Sequence, residues 1–223
     1  MIDFFADNHY DAHPGRVIFE HLPKRLRRRI RFDEDDWSRL EAGEWLDDCE
    51  LVVLHLIGGT CGVEHPGAGA ERAMRAWCEK GGDLLLLHGA SAAFWEWPWW
   101  RTLVGRRWVR PDDPDGVAPS THPKHPYRVV PARSRHMLAG KLLPLELPCD
   151  EIYTDLEEVS PTITLLETRI AEGTFPQCFE TCTQWGGRVT SFLPGHIPEV
   201  AGDPALVADI SILIDHLLKE RAK

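Results

Sequence analysis

The chain predicts an α/β fold with a mostly parallel central sheet, and three observations carry that expectation. Two apolar runs, 51–57 (LVVLHLI), interrupted by His55 alone, and the unbroken 84–87 (LLLL), have the pattern of strands buried on both faces. Segments with apolar residues at three- and four-residue spacing, notably 68–80 and 203–219, have the pattern of helices that cover such a sheet. Glycine pairs punctuate the two, with Gly58-Gly59 closing the first apolar run and Gly81-Gly82 preceding the second.

In chain order, residues 2–6 are a short apolar strand ending in the polar cluster Asp7, Asn8, His9, Tyr10, Asp11, after which Pro14 opens a helix running towards Arg29. Residues 30–32 and 51–57 follow as strands. The helix over 68–80 turns Ala73, Met74, Trp77 and Cys78 inward, and the strand 84–87 runs straight into His88 and a Gly-Ala-Ser helix start. Residues 91–104 are expected to be a helix crowded with Phe94, Trp95, Trp97, Trp99 and Trp100, although Pro98 interrupts its middle. Residues 105–131 carry Pro, Asp, Gly and His, the chemistry of a long loop. Short strands are expected at 127–130, 145–147, 151–156 and 162–167, then a hairpin of 176–185 with 188–193 through Gly186-Gly187. The helix 203–219 closes the chain with Leu206, Val207, Ile210, Leu213, Ile214 and Leu217 on one side. At 223 residues and 43% hydrophobic content the chain is expected to form one domain, 1–223, with a loop and β-rich excursion at about 105–185.

Lys and Arg total 25 against 35 Asp and Glu, and a net charge of -10 disfavours nucleic acid and anionic membranes as partners. A neutral or cationic small molecule fits better. The basic run 24–31 (KRLRRRIR) reads as a solvated helix face leading into a strand. The first residues, MIDFFADNHYDAHP, have no long apolar core, so neither a signal peptide nor a transmembrane helix is expected and the protein is expected to be cytoplasmic. Cys49, Cys61, Cys78, Cys149, Cys178 and Cys182 form no CxxC pair and are expected to be reduced thiols, with Cys178 and Cys182 on one face of a strand. The Trp-rich segment offers apolar surface for a homo-oligomer, or fills the domain's own core.

Three strand ends deliver a histidine to the same sheet edge: His9 after the first strand, His88 after 84–87, and His196 after VTSFLPG. The carboxyl edge of a parallel sheet is where ligands bind, so convergence there points to a site rather than to three separate structural histidines. His55 lies inside its strand pattern and is expected to be packed and hydrogen-bonded. The segment THPKHPY holds His122 and His125 in a proline-bounded stretch that serves either as a surface turn or as a source of ligands. Asp150 and Glu151 are expected to start a strand, and Glu151, where partly buried, is suited to acid-base work. GxGxxG, GxxxxGK[ST] and GxSxG are absent, which argues against dinucleotide, P-loop and serine acyl-enzyme chemistry. Imidazole stands at the elbow where a nucleophile would, so His88 is expected to move a proton or ligate a metal. No motif demands a cofactor; a divalent metal such as zinc would draw on His88, His122 and His196.

Four segments together resemble the trehalose-utilisation (ThuA-like) family of the class I glutamine amidotransferase-like superfamily: GGDLLLLHGASAAFWEWPWW, the HP-containing loop with His122 and a later His136, DEIY at 150–153, and GGRVTSFLPGH ending at His196. The resemblance implies a flavodoxin-like three-layer sandwich in which the superfamily's catalytic cysteine has been replaced, so glutaminase activity is not expected. It implies a small-molecule carbohydrate partner and an activity on a keto-sugar or keto-glycoside in trehalose-type disaccharide metabolism, as a lyase, hydrolase or isomerase. In that setting His88 is the expected base and His196 or Glu151 the partner acid. Trp95 and Trp97 are expected to stack on sugar faces, with Ser91, His122, Tyr153 and His9 as further substrate contacts. The alternative is a non-catalytic carbohydrate-binding or regulatory protein that keeps the pocket.

Overall fold

Side-chain alternation along three apolar strands decides the architecture. In the computed structural model, which describes residues 1–58 and 62–219, β1 (Ile2–Ala6) sends Ile2, Phe4 and Ala6 to one face of the sheet and Phe5 to the other. β3 (Leu51–His55) and β4 (Leu84–Leu87) divide their residues in the same way, so the sheet has an apolar layer on each side. One layer is covered by α1 (Pro14–His21), α2 (Lys24–Arg27), α6 (Pro198–Ala201) and α7 (Pro204–Lys219). The other is covered by α3 (Ser38–Ala42), α4 (Ala68–Glu79) and α5 (Pro98–Leu103). No helix among the described residues is long and apolar enough to cross a membrane.

β2 (Ile30–Glu34) pairs parallel with β1, β1 with β3, β3 with β4, and β4 with β11 (Arg188–Phe192). From β11 onward the same sheet continues antiparallel through β10 (Gly173–Cys182), β9 (Ile163–Ile170), β6 (Lys124–Pro131) and β7 (Leu145–Glu151), giving nine strands in all. The expectation of a mostly parallel sheet is therefore corrected: four of the nine strands join antiparallel, and the excursion extends the main sheet. The reason is local: β9, β10 and β11 follow one another through short turns, and the segment 132–144 between β6 and β7 holds no helix to make a parallel crossover. A small ribbon of β5 (Arg106–Arg107) and β8 (Glu157–Glu158) stands apart.

Proline moves two helix boundaries. The helix expected from Pro14 towards Arg29 divides into α1 and α2 at Pro23, which lacks an N–H and holds Leu22 extended. Over 91–104, Pro98 occupies the first turn of α5, and residues 88–92 form a separate 3-10 turn. The long loop expected at 105–131 contains β5 and all of β6, and the strand expected at 145–147 runs on as β7 to Glu151, so Asp150 and Glu151 end a strand rather than start the one expected at 151–156. Of the six cysteines, Cys61 lies outside the described residues, as does Gly59, and the other five are free thiols. The basic run is neutralised piecemeal: Arg25 pairs with Asp215, Arg29 with Glu50, and Arg31 with Asp3 and Asp48. Asp209 on α7 is fully buried and accepts the Leu143 N–H at 2.8 Å, which ties the loop before β7 to that helix.

Candidate active site

The carboxyl edge of the parallel strands gathers the site. β1 lies between β2 and β3, so the winding reverses beside it and leaves a crevice at its carboxyl end. The chain leaving β1 passes through positive φ at His9, Tyr10 and Asp11, and His88 leaves β4 at φ 50. Non-glycine residues rarely adopt this left-handed region, and such strain concentrates where a side chain must be aimed. Gly89 completes the His88 turn because a Cβ there would overlap Ile57 Cγ2.

Three imidazoles meet at this edge. His196 Nδ1 lies 3.0 Å from His9 Nε2 and 3.1 Å from His88 Nε2. Behind them, His88 Nδ1–H donates to the Leu193 carbonyl at 2.9 Å, and Tyr153 reaches His88 Nε2 at 3.2 Å. Glu151 closes the group: one carboxylate oxygen sits 3.5 Å from both His88 and His196, and the other is held by His122 at 3.1 Å and Lys124 at 3.0 Å. Asp150, its neighbour, accepts the N–H groups of Gly195 and His196 and so fixes the turn that carries His196.

Burial keeps His9 and His196 neutral at pH 7. His9 is pushed far below its ordinary range, first by burial and then by the neighbouring His88 and His55, and His196 is pushed down to about 4 by burial and by His88. Burial acts to raise the pKa of Glu151, but His88, His196 and Lys124 outweigh it and hold the carboxyl at about 2. Asp7, behind His9, is raised by burial to about 6. At neutral pH the site therefore presents the ionised Glu151 carboxylate beside neutral imidazoles at His9 and His196.

Above them opens a cavity of about 290 Å3, walled by Tyr10, Trp108, Arg110 and Tyr153 with Glu151 and His196 in its floor. His9, His122, Tyr153, His196 and Glu151 all line it; His88 lies beneath the floor, 1% exposed, and reaches the cavity only through its neighbours. The expected sugar platforms are elsewhere. Trp97 is stacked on Phe94 and Trp99 inside the helical layer, and Trp95 is covered by the Arg110 guanidinium 4.5 Å above its ring. Ser91 is buried and accepts the Trp108 N–H at 3.3 Å, which makes it a support for Trp108. Trp108 itself, packed 4.8 Å from Tyr153 and 5.2 Å from His122, is the aromatic wall that the sequence reading missed. His55 also departs from expectation: it packs beside His9 and His88, burial lowers it to about 3, and neither ring nitrogen meets a partner at hydrogen-bond distance and angle. For a metal, the converging trio is His9, His88 and His196, whose facing nitrogens lie within 4.8 Å of one another; His9 takes the place expected for His122.

Comparison with known proteins agrees with this picture. The family model described as ThuA, trehalose utilisation, matches residues 6–210. A ThuA-like protein from Parabacteroides merdae superposes with a TM-score of 0.69 at 15% identity, covering 94% of this chain and 86% of that one. One from Bacteroides uniformis gives 0.68 at 14%, covering 97% and 91%, and a cytoplasmic protein from Salmonella typhimurium gives 0.58 at 12%, covering 90% and 84%. At these identities the likeness is one of fold. No curated protein matches the sequence.

Proposed function

Since the chain belongs to the ThuA, or trehalose-utilisation, family, we propose that it is an enzyme that processes a keto-glycoside by moving the proton on the carbon next to the sugar carbonyl. The observation that carries this reading is Glu151: an ionised carboxylate in the floor of an aromatic-walled cavity, braced by His88, His196 and Lys124. A carbonyl acidifies the neighbouring C–H, and a fixed carboxylate within reach of it acts as the base. The charge that develops on the carbonyl oxygen meets two cations, Arg110 in the cavity wall and Lys124 beside Glu151. Protonated Glu151 then returns the proton, to carbon or to the departing glycosidic oxygen. His88 becomes a positioning residue that holds His196 and Tyr153, while the base role passes to Glu151.

The cavity volume lies at the lower limit of the ~300–1,000 Å3 common for ligand pockets, which suits one sugar ring buried and the remainder of a glycoside outside. Trp108 supplies the flat apolar face for that ring. Trp108→Ala is expected to raise KM about tenfold with little change in kcat, because stacking acts alike on substrate and transition state; steady-state kinetics on a 3-keto-glycoside will show it. The direct test is incubation of the protein with 3-keto-glycosides in D2O. Deuterium entering the carbon beside the carbonyl, read by NMR, is the expected result, and a substrate bound without exchange would identify a binding protein and overturn the proposal.

A further inference from the structure

We infer that His9 Nε2, His88 Nε2 and His196 Nδ1 form a three-nitrogen site for a divalent transition-metal ion, zinc by ligand type, with an open position facing the cavity. The three facing nitrogens lie within 4.8 Å of one another, and their protons decide what can sit between them. The Leu193 carbonyl can only accept, so His88 carries its proton on Nδ1 and turns a lone pair inward at Nε2. His9 has its Nδ1 on the side of Asp7 Oδ1, 3.9 Å away, and both atoms are buried without a hydrogen-bond partner. A proton on Nδ1 faces that carboxylate and turns a second lone pair inward. A proton on His196 Nδ1 can be donated to only one of the two inward lone pairs, 3.0 and 3.1 Å away, and the other donor in reach, the Tyr153 hydroxyl, stands 3.2 Å from His88 Nε2 on the flank of the trio. One ion satisfies all three nitrogens, and neutral imidazole is the form that binds it.

The surroundings fit the same occupant. A buried carboxylate behind one ligand and a backbone carbonyl behind another are the supports that orient metal-bound histidines. Three carboxyl groups surround the trio: Asp7 behind His9, Asp150 on the His196 N–H, and Glu151 3.5 Å from both His88 and His196. Binding moves the His196 proton to Nε2, and Lys124, 3.1 Å from that nitrogen, turns wholly onto Glu151 Oε1, where it already sits at 3.0 Å. The cavity-facing position is left for water or a substrate oxygen, where the ion would polarise a carbonyl while Glu151 keeps the proton. The inference uses the site proposed above but not its substrate.

The test uses the full chain without an affinity tag, stripped with chelator, exposed to Zn2+ and desalted, with metal content measured by mass spectrometry; Co2+ in place of Zn2+ gives a visible d–d band. About one ion per chain is expected for the wild type and for His125→Ala, which removes an imidazole outside the trio. His196→Ala and His9→Ala, from opposite sides of the trio, should each weaken retention by about 100-fold or more, provided circular dichroism shows both folded. A folded wild type that retains no ion, or variants that bind as tightly as it does, overturns the site. Deuterium exchange into a keto-glycoside by stripped protein that retains no ion would remove the metal and leave the proposed function. Metal retained without exchange would do the reverse.

Discussion

Glu151→Gln is expected to lower keto-glycoside turnover by about 10^2- to 10^4-fold, the range lost when a positioned acid-base group is removed. The substitution keeps the shape of the side chain and removes only its basicity. His122 and Lys124 would face an amide oxygen in place of a carboxylate oxygen, so KM should change far less than kcat. A carboxyl whose pKa is held down stabilises the fold above its unfolded value and loses that contribution as pH falls towards the folded one. The folded value is about 2, so the variant should be less stable than the wild type at pH 7, and the gap should close as the pH is lowered from 4.5. Deuterium exchange and thermal melts on one preparation separate the two effects. Unchanged exchange would move the base elsewhere in the cavity.

Asp209→Asn is expected to stabilise the protein by about 2–4 kcal/mol at pH 8 and by little at pH 4. Burial raises this carboxyl to about 7, opposed by the Leu143 N–H on Oδ1; Oδ2 has no hydrogen-bond partner. The unfolded chain releases the proton near 3.8, the folded one only near 7. Between these values stability falls as pH rises, and above pH 7 the whole penalty is present. Asparagine keeps the acceptor for Leu143 and abolishes the charge, while its unpartnered amide N–H offsets part of the gain. Melting temperatures at the two pH values test it: an increase of roughly 5–15 °C at pH 8 that vanishes at pH 4 is expected for a chain of this length. Equal shifts at both would assign the effect to packing instead of charge.

The parts of the fold that could be read from the sequence were those where one residue pattern admits one environment. β1, β3 and β4 are apolar at nearly every position and can only be central strands; β1 and β4 are followed at once by polar or small residues and β11 leads through Leu-Pro-Gly to His196, which is why His9, His88 and His196 were legible at the carboxyl edge. The antiparallel half was less so, because β6 alternates exposed and buried positions and its beginning, KHP, carries turn chemistry. The aromatic residues divided on a single backbone event: Pro98 begins α5, which turns Trp97 and Trp100 into the core, and Trp108 reaches the cavity from beyond it. Nothing in the composition of that segment distinguishes these tryptophans. Glu151 was visible as an acid but not as the meeting point of His88, His122, Lys124 and His196, since that depends on how β7 returns across the end of β11.

The contact between His9 and His196 joins residues 187 positions apart, and His88 meets Tyr153 and His196 across 65 and 108. Loop closure over such spans comes late in folding, after local strands and helices have paired. On the ribosome, an emerging chain cannot hold this centre until the segment beyond β11 has left the tunnel and docked. The centre therefore exists only in the completed fold, and gain of cavity binding during refolding would mark arrival of the finished molecule.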